Sequence, residues 1–257
     1  MFPSRSLIPF VTAGYPDLET TRDVVLELAR SGAALIEIGI PFSDPIADGP
    51  VIQRSSFEAL RHGYGIEDYL AMVREVRRRS SVPLIFMTYL NPVLQYGIDR
   101  LDREGAEAGL DGLLVSDLTP DAAARSGFRT QRLKLVYLVA PTTVADRVAE
   151  ISRAATGFVY VVARTGVTGR QTNLDASLAQ LVGLVRRSTS LPVAVGFGIR
   201  TRDDVARVWE FAEGAVVGSA IVSFMEEQRR DPDLARQVGH FVREVLMPHG
   251  ARMETAS

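Results

Sequence analysis

PVAVGFGIRTRDD, residues 192–204, is followed a few residues on by GAVVGSAIV, residues 214–222. In each, a run of β-branched and small apolar residues gives way to glycines and then to a helical pattern, and Thr201 with Asp204 has the spacing of a capping box. A strand, a glycine turn and a helix written twice in succession imply parallel strands, since each helix carries the chain back to begin the next strand in the same direction. Working outward, the same kind of run recurs as LIPFVTA (7–13), ALIEIGI (34–40), PLIFMTY (83–89), GLLVSDL (112–118), KLVYLVA (134–140) and FVYVVAR (158–164), which makes eight. Helical spacing fills the intervals, as in Val24, Val25 and Leu28 or Leu181, Val182 and Val185. Eight units in 257 residues predict an α/β fold, a single (β/α)8 TIM barrel over residues 1–257 with 247–257 as a frayed tail; an open doubly wound sheet is the alternative.

Composition narrows the chemistry. A formal charge of -2 and 46% hydrophobic residues point away from disorder and from a nucleic-acid partner. The absence of cysteine removes disulfides, thiolate nucleophiles and thiolate metal sites, and fits a reducing cytoplasm. The start MFPSRSLIPFVTAGYP has no signal-peptide apolar stretch and no later run has membrane length, so a soluble cytoplasmic protein without a membrane partner is expected. Lys134 is the only lysine and opens KLVYLVA, at the amino end of a strand and away from the face where barrels do chemistry, which disfavours an imine mechanism. His62, His240 and His249 form no HxH or HExxH pair, which disfavours a zinc site. No metal and no cofactor is expected.

The carboxyl ends of the strands supply the candidates. In ALIEIGI the pleat sets Leu35, Glu37 and Gly39 against Ile36 and Ile38; if the isoleucines meet the helices, Glu37 points into the barrel mouth. There it either passes protons with a raised pKa or is a layer residue held by an arginine. The following PFSDPIADGP is a long connection, and Asp48, eleven residues after Glu37, could fold back to face it; Asp44 and Asp48 could equally be turn residues. RTGVTGRQTN, from 164, offers Gly166 and Gly169 as hinges and the Thr168 hydroxyl to a lid, or is a plain surface loop. The two glycine clusters after the seventh and eighth strands suit a phosphate, which glycine backbone and a helix amino end can cradle.

PFVTAGYP (9–16), EIGIPFSDPIADGPVIQ (37–53), LVAPTT (138–143), RTGVTG (164–169), GFGI and VGSAIV together resemble the tryptophan synthase alpha subunit family, across nearly the whole chain. The resemblance implies a carbon-carbon lyase of tryptophan biosynthesis that cleaves indole-3-glycerol phosphate to indole and glyceraldehyde 3-phosphate without a cofactor. By motif position Glu37 matches the general acid-base and Asp48 the aspartate that stabilises the indole nitrogen, while Tyr160 matches a tyrosine beside the glutamate. Gly169, Phe197, Gly198, Gly218 and Ser219 fall at phosphate-binding positions. Phe10, Met87, Leu114 and Val216 would line the indole pocket with Thr12 nearby, or are ordinary barrel core. Asp117 matches a residue of loop positioning and partner communication. A pyridoxal-phosphate beta subunit in an alpha2beta2 tetramer, under allosteric control, is the implied partner.

Three departures bear on that partner: few residues precede the first strand where the family has a helix under the barrel, Thr119 stands where proline is common, and Ser55 where alanine is common. Both positions are expected in or near the partner surface. Alternatives are a stand-alone indole-releasing lyase, a catalytically weak or silent allosteric subunit, another phosphate-binding barrel such as a sugar-phosphate epimerase, and chemistry on a relative of the indole substrate. Retention of Glu37 and Asp48 argues against a scaffold, and the scarcity of histidine against a metal-dependent epimerase.

Overall fold

Parallel strands covered on both faces need apolar side chains on both, which is why the eight runs read as nearly unbroken. The computed structural model describes residues 1–162, 171–196 and 198–248. All eight runs form strands: β1 Ser6–Thr12, β2 Ile36–Gly39, β3 Leu84–Thr88, β4 Gly112–Val115, β5 Lys134–Val139, β6 Val159–Val162, β7 Val193–Gly196 and β8 Gly214–Val217. Each is parallel to the next and β8 pairs back onto β1, so the barrel is closed and the open sheet is excluded.

The helices are α1 Leu18–Arg30, α2 Pro50–Leu60, α3 Ile66–Arg77, α4 Leu90–Tyr96, α5 Ile98–Ala108, α6 Pro120–Ser126, α7 Ala145–Ala154, α8 Gln171–Arg186, α9 Arg202–Val208, α10 Ser219–Glu227 and α11 Leu234–Phe241. Two helices follow each of β2, β3 and β8, more than the single helix per unit that the spacing suggests. Thr201 caps α9 as expected, its hydroxyl accepting from the Asp204 N–H at 3.2 Å while Asp204 accepts from the Thr201 N–H at 2.9 Å. No helix among the described residues is long and apolar enough to cross a membrane.

The pleat divides the core in two. Ile8, Leu35, Ile85, Leu114, Val136, Phe158 and Ala194 fill the barrel interior, whereas Val11, Ile36, Ile38, Phe86 and Val159 face the helices. Phe2 packs edge-on against Phe158, ring centroids 5.1 Å apart, within that interior cluster. Lys134 is exposed at the amino-terminal start of β5, at the opposite end of the barrel from the carboxyl ends of the strands. At Met247, where the expected tail begins, the N–H bonds the Val242 carbonyl at 2.9 Å and the side chain packs on the core. The rest of the expected tail, 249–257, lies outside the described residues.

One buried carboxylate holds the scaffold without touching the site. Asp102 of α5 accepts from the backbone N–H groups of Gln131, Arg132 and Leu133 at 2.9–3.2 Å, fixing the turn that leads into β5. Asp102→Ala strands those donors, so chemical unfolding should show a loss of about 2–4 kcal/mol, with catalytic rate per folded molecule unchanged.

Candidate active site

Glu37 stands in β2 between Phe10 of β1 and Ile85 of β3, on the interior face with Leu35. It is fully buried, and neither carboxylate oxygen has a hydrogen-bond partner among the described residues. No described arginine holds it. Burial without compensation disfavours the ionised form and pushes its pKa up to about 8, so at neutral pH Glu37 is a carboxylic acid.

Asp48 reaches the same region from the loop between β2 and α2. Its Oδ2 accepts from the Tyr89 hydroxyl at 3.1 Å, and that hydroxyl accepts in turn from the Ala47 N–H at 3.0 Å. Burial pushes the Asp48 pKa up to about 6 against the opposing pull of the Tyr89 hydrogen bond, so Asp48 is mostly ionised at neutral pH. Asp44 is exposed, and its carbonyl closes a turn with the Ile46 N–H at 2.9 Å. Tyr89 is absent from the sequence-derived candidates, although the alternation that puts Ile85 and Met87 inside continues to it. Asp117, exposed beyond β4, accepts from the Leu90 N–H at 2.7 Å and so fixes the start of α4 next to Tyr89.

Tyr160 of β6 is buried beside both acids: burial, then the negative charge that Glu37 and Asp48 carry when ionised, raise its pKa and keep its hydroxyl un-ionised. Its ring fits because residue 196 is glycine, where a methyl would overlap the Tyr160 hydroxyl. Gly196→Ala should displace Tyr160 and lower kcat/KM by roughly 10- to 100-fold. Steady-state kinetics on a variant of near wild-type melting temperature would check this.

Asp48 and Tyr160 border a cavity of about 880 Å³ whose wall also includes Phe10, Met87, Val216, Gly198, Gly218 and Ser219, while Glu37, fully buried near Tyr160, is not itself on that wall. Gly198 has φ +77, which favours glycine, and a side chain at Gly218 would meet Phe10 atoms at 3.3 Å. At Gly218 the α10 helix starts without a side-chain cap, leaving its first N–H groups for an anion.

Not every candidate joins the cavity. Leu114 is buried in the barrel interior and is absent from the wall. Thr12 spends its hydroxyl on Ser55 at 2.7 Å. Ser55, expected near a partner surface, is instead 2% exposed and donates to the Ile52 carbonyl at 2.9 Å, because α2 folds down onto the end of β1. Thr119, by contrast, is exposed. Thr168, Gly169 and Phe197 lie outside the described residues. Among the described residues no three metal-ligating side chains converge.

A closed parallel barrel with a neutral buried acid, an ionised loop aspartate and an uncapped helix start on one cavity has the form of a barrel enzyme suited to proton-transfer chemistry. The sequence profile of the tryptophan synthase alpha chain matches residues 3–246, and the chain belongs to that family, lyases that cleave indole-3-glycerol phosphate in tryptophan biosynthesis. The tryptophan synthase alpha chain of Solibacter usitatus is 46% identical over 250 residues, 96% of this chain and 94% of that one. The Synechococcus elongatus alpha chain is 45% identical over 226 residues, 87% and 85% of the two chains. Among solved structures, a chain of the Pyrococcus furiosus tryptophan synthase a2b2 complex, described for its mutual activation, superposes with a TM-score of 0.86 at 38% identity, covering 95% of this chain and 98% of that one.

Proposed function

We propose that this chain performs the family's reaction with Glu37 and Asp48 as its catalytic residues. One observation carries the assignment: two carboxyl groups beside the same tyrosine have environments that set them apart, one neutral and one ionised at neutral pH. Glu37, whose carboxyl makes no hydrogen bond among the described residues, turns toward the cavity and donates its proton to C3 of the indole ring. The ring nitrogen becomes positive, and the Asp48 carboxylate stabilises it. The Glu37 carboxylate then takes the proton of the hydroxyl on the adjoining glycerol carbon. As that carbon becomes the aldehyde of glyceraldehyde 3-phosphate, the bond to C3 breaks, its electron pair restores the neutral indole, and Glu37 is again protonated.

Phe10, Met87, Tyr160 and Val216 would flank the ring, with Leu114 packed beneath and Thr12 fixing α2. Gly198, Gly218, Ser219 and the amino end of α10 would hold the phosphate, joined by motif position by Gly169 and Phe197, and Thr168 would serve the lid. A beta subunit is the partner we assign, in an alpha2beta2 tetramer: Ile46, Leu94 and Val144, exposed apolar residues beyond β2, β3 and β5, surround the barrel's carboxyl-terminal face. The cysteine-free composition supports a cytoplasmic setting.

Mixing the purified chain with a tryptophan synthase beta subunit tests the partnership. A complex on sizing chromatography with faster indole release, both weakened in Ile46→Asp, is expected. Indole release that is rapid alone and indifferent to the beta subunit would make this a free-standing lyase.

A further inference from the structure

We infer that Gln53 is a positioning residue for Asp48. This rests on the catalytic assignment of Asp48 and adds the device that aims it. Gln53 lies in the first turn of α2, and helical side chains slant toward the amino end of their helix, which carries its amide back over the loop it has just left. Its Nε2 donates to the Asp48 carbonyl at 2.9 Å and to the Pro45 carbonyl at 3.4 Å. Gly49 caps α2 without a side chain, so the Gln53 amide is what joins this turn of the loop to the helix from the helix side. Tyr89 holds the same residue from the other side, by its carboxylate. The 45–48 turn is thereby held from the α2 side at its carbonyls and from the Tyr89 side at the Asp48 carboxylate and the Ala47 N–H.

The clamp acts on backbone carbonyls, so its worth is seen only through the carboxylate that it aims. A double-mutant cycle with Gln53→Met, which keeps length and removes the donor, isolates this. In the wild-type background Gln53→Met should lower kcat for indole release about 10-fold, the scale of a catalytic group displaced by a fraction of an ångström. In the Asp48→Asn background the same change should cost less than about 2-fold, since no aimed carboxylate remains. An equal factor in both backgrounds would overturn the inference and leave Gln53 a plain stabiliser of α2. Gln53→Glu, with an acceptor facing two carbonyls, should repeat the pattern if Gln53→Met folds poorly, and melting curves identify which variant to use. Full activity of Asp48→Asn by itself would instead sink the catalytic assignment, so the two failures are told apart.

Discussion

Glu37→Gln should lose indole release by roughly 10³- to 10⁴-fold and yet be the more stable protein at pH 8. The loss follows because a glutamine can neither give C3 a proton nor take one from the hydroxyl. The gain follows from linkage. The folded-state pKa of Glu37 is raised from 4.5 to about 8 by burial, so between those values the folded protein holds a proton that the unfolded chain has released. Stability associated with the neutral acid is fully present below the unfolded value and is lost as pH rises to the folded one, on the order of 5 kcal/mol at most. Glutamine escapes that loss but brings an unpaired buried amide, worth about 1–3 kcal/mol against it. Urea unfolding should therefore find Glu37→Gln ahead by about 2–4 kcal/mol at pH 8 and level or behind at pH 5. A variant less stable at both pH values would mean that Glu37 is ionised and well solvated in the native barrel.

Asp48→Asn should lower kcat/KM by roughly 10²- to 10³-fold and remove from the acid limb of its pH dependence the part that Asp48 contributes. In the wild type the rate needs Asp48 ionised and Glu37 protonated, so activity should fall as pH drops through about 6 and again as it rises through about 8. The substrate phosphate also titrates near the lower value, but it does so equally in Asp48→Asn, and the difference between the two profiles belongs to Asp48. Tyr89→Phe gives the sign. The Tyr89 hydroxyl favours the carboxylate, so without it the acid limb should move to higher pH, while Tyr160, the other tyrosine near Asp48, is untouched. A limb that stays in place in Tyr89→Phe would detach it from Asp48.

The barrel was legible because its strands are buried on both sides, so each writes itself as an apolar run, and Glu37 stood out as an acid in the middle of such a run, whereas Asp117 falls near the end of another, GLLVSDL. Motif position, not alternation, singled out Phe10, Met87 and Tyr160, and all three stand on the cavity wall. What alternation does not carry is height along the barrel axis. Met87 and Leu114 are register neighbours of the same interior parity, yet Met87 reaches the cavity wall and Leu114 lies in the packed interior. Nor could spacing reveal partners brought together by loop closure. Tyr89 meets Asp48 across 41 positions, and Ser55 meets Thr12 across 43, so a residue that looked like surface proved to be a buried tie.

The claim on which the chemistry stands is that Glu37 keeps its proton at neutral pH, and infrared difference spectroscopy of wild type against Glu37→Gln reads that proton directly. The wild type should show a protonated-carboxyl carbonyl band at pH 7, absent from the variant and replaced by carboxylate bands with a midpoint near pH 8. A band already lost by pH 5 would mean an ordinary ionised glutamate, and the general-acid role assigned to Glu37 would be contradicted.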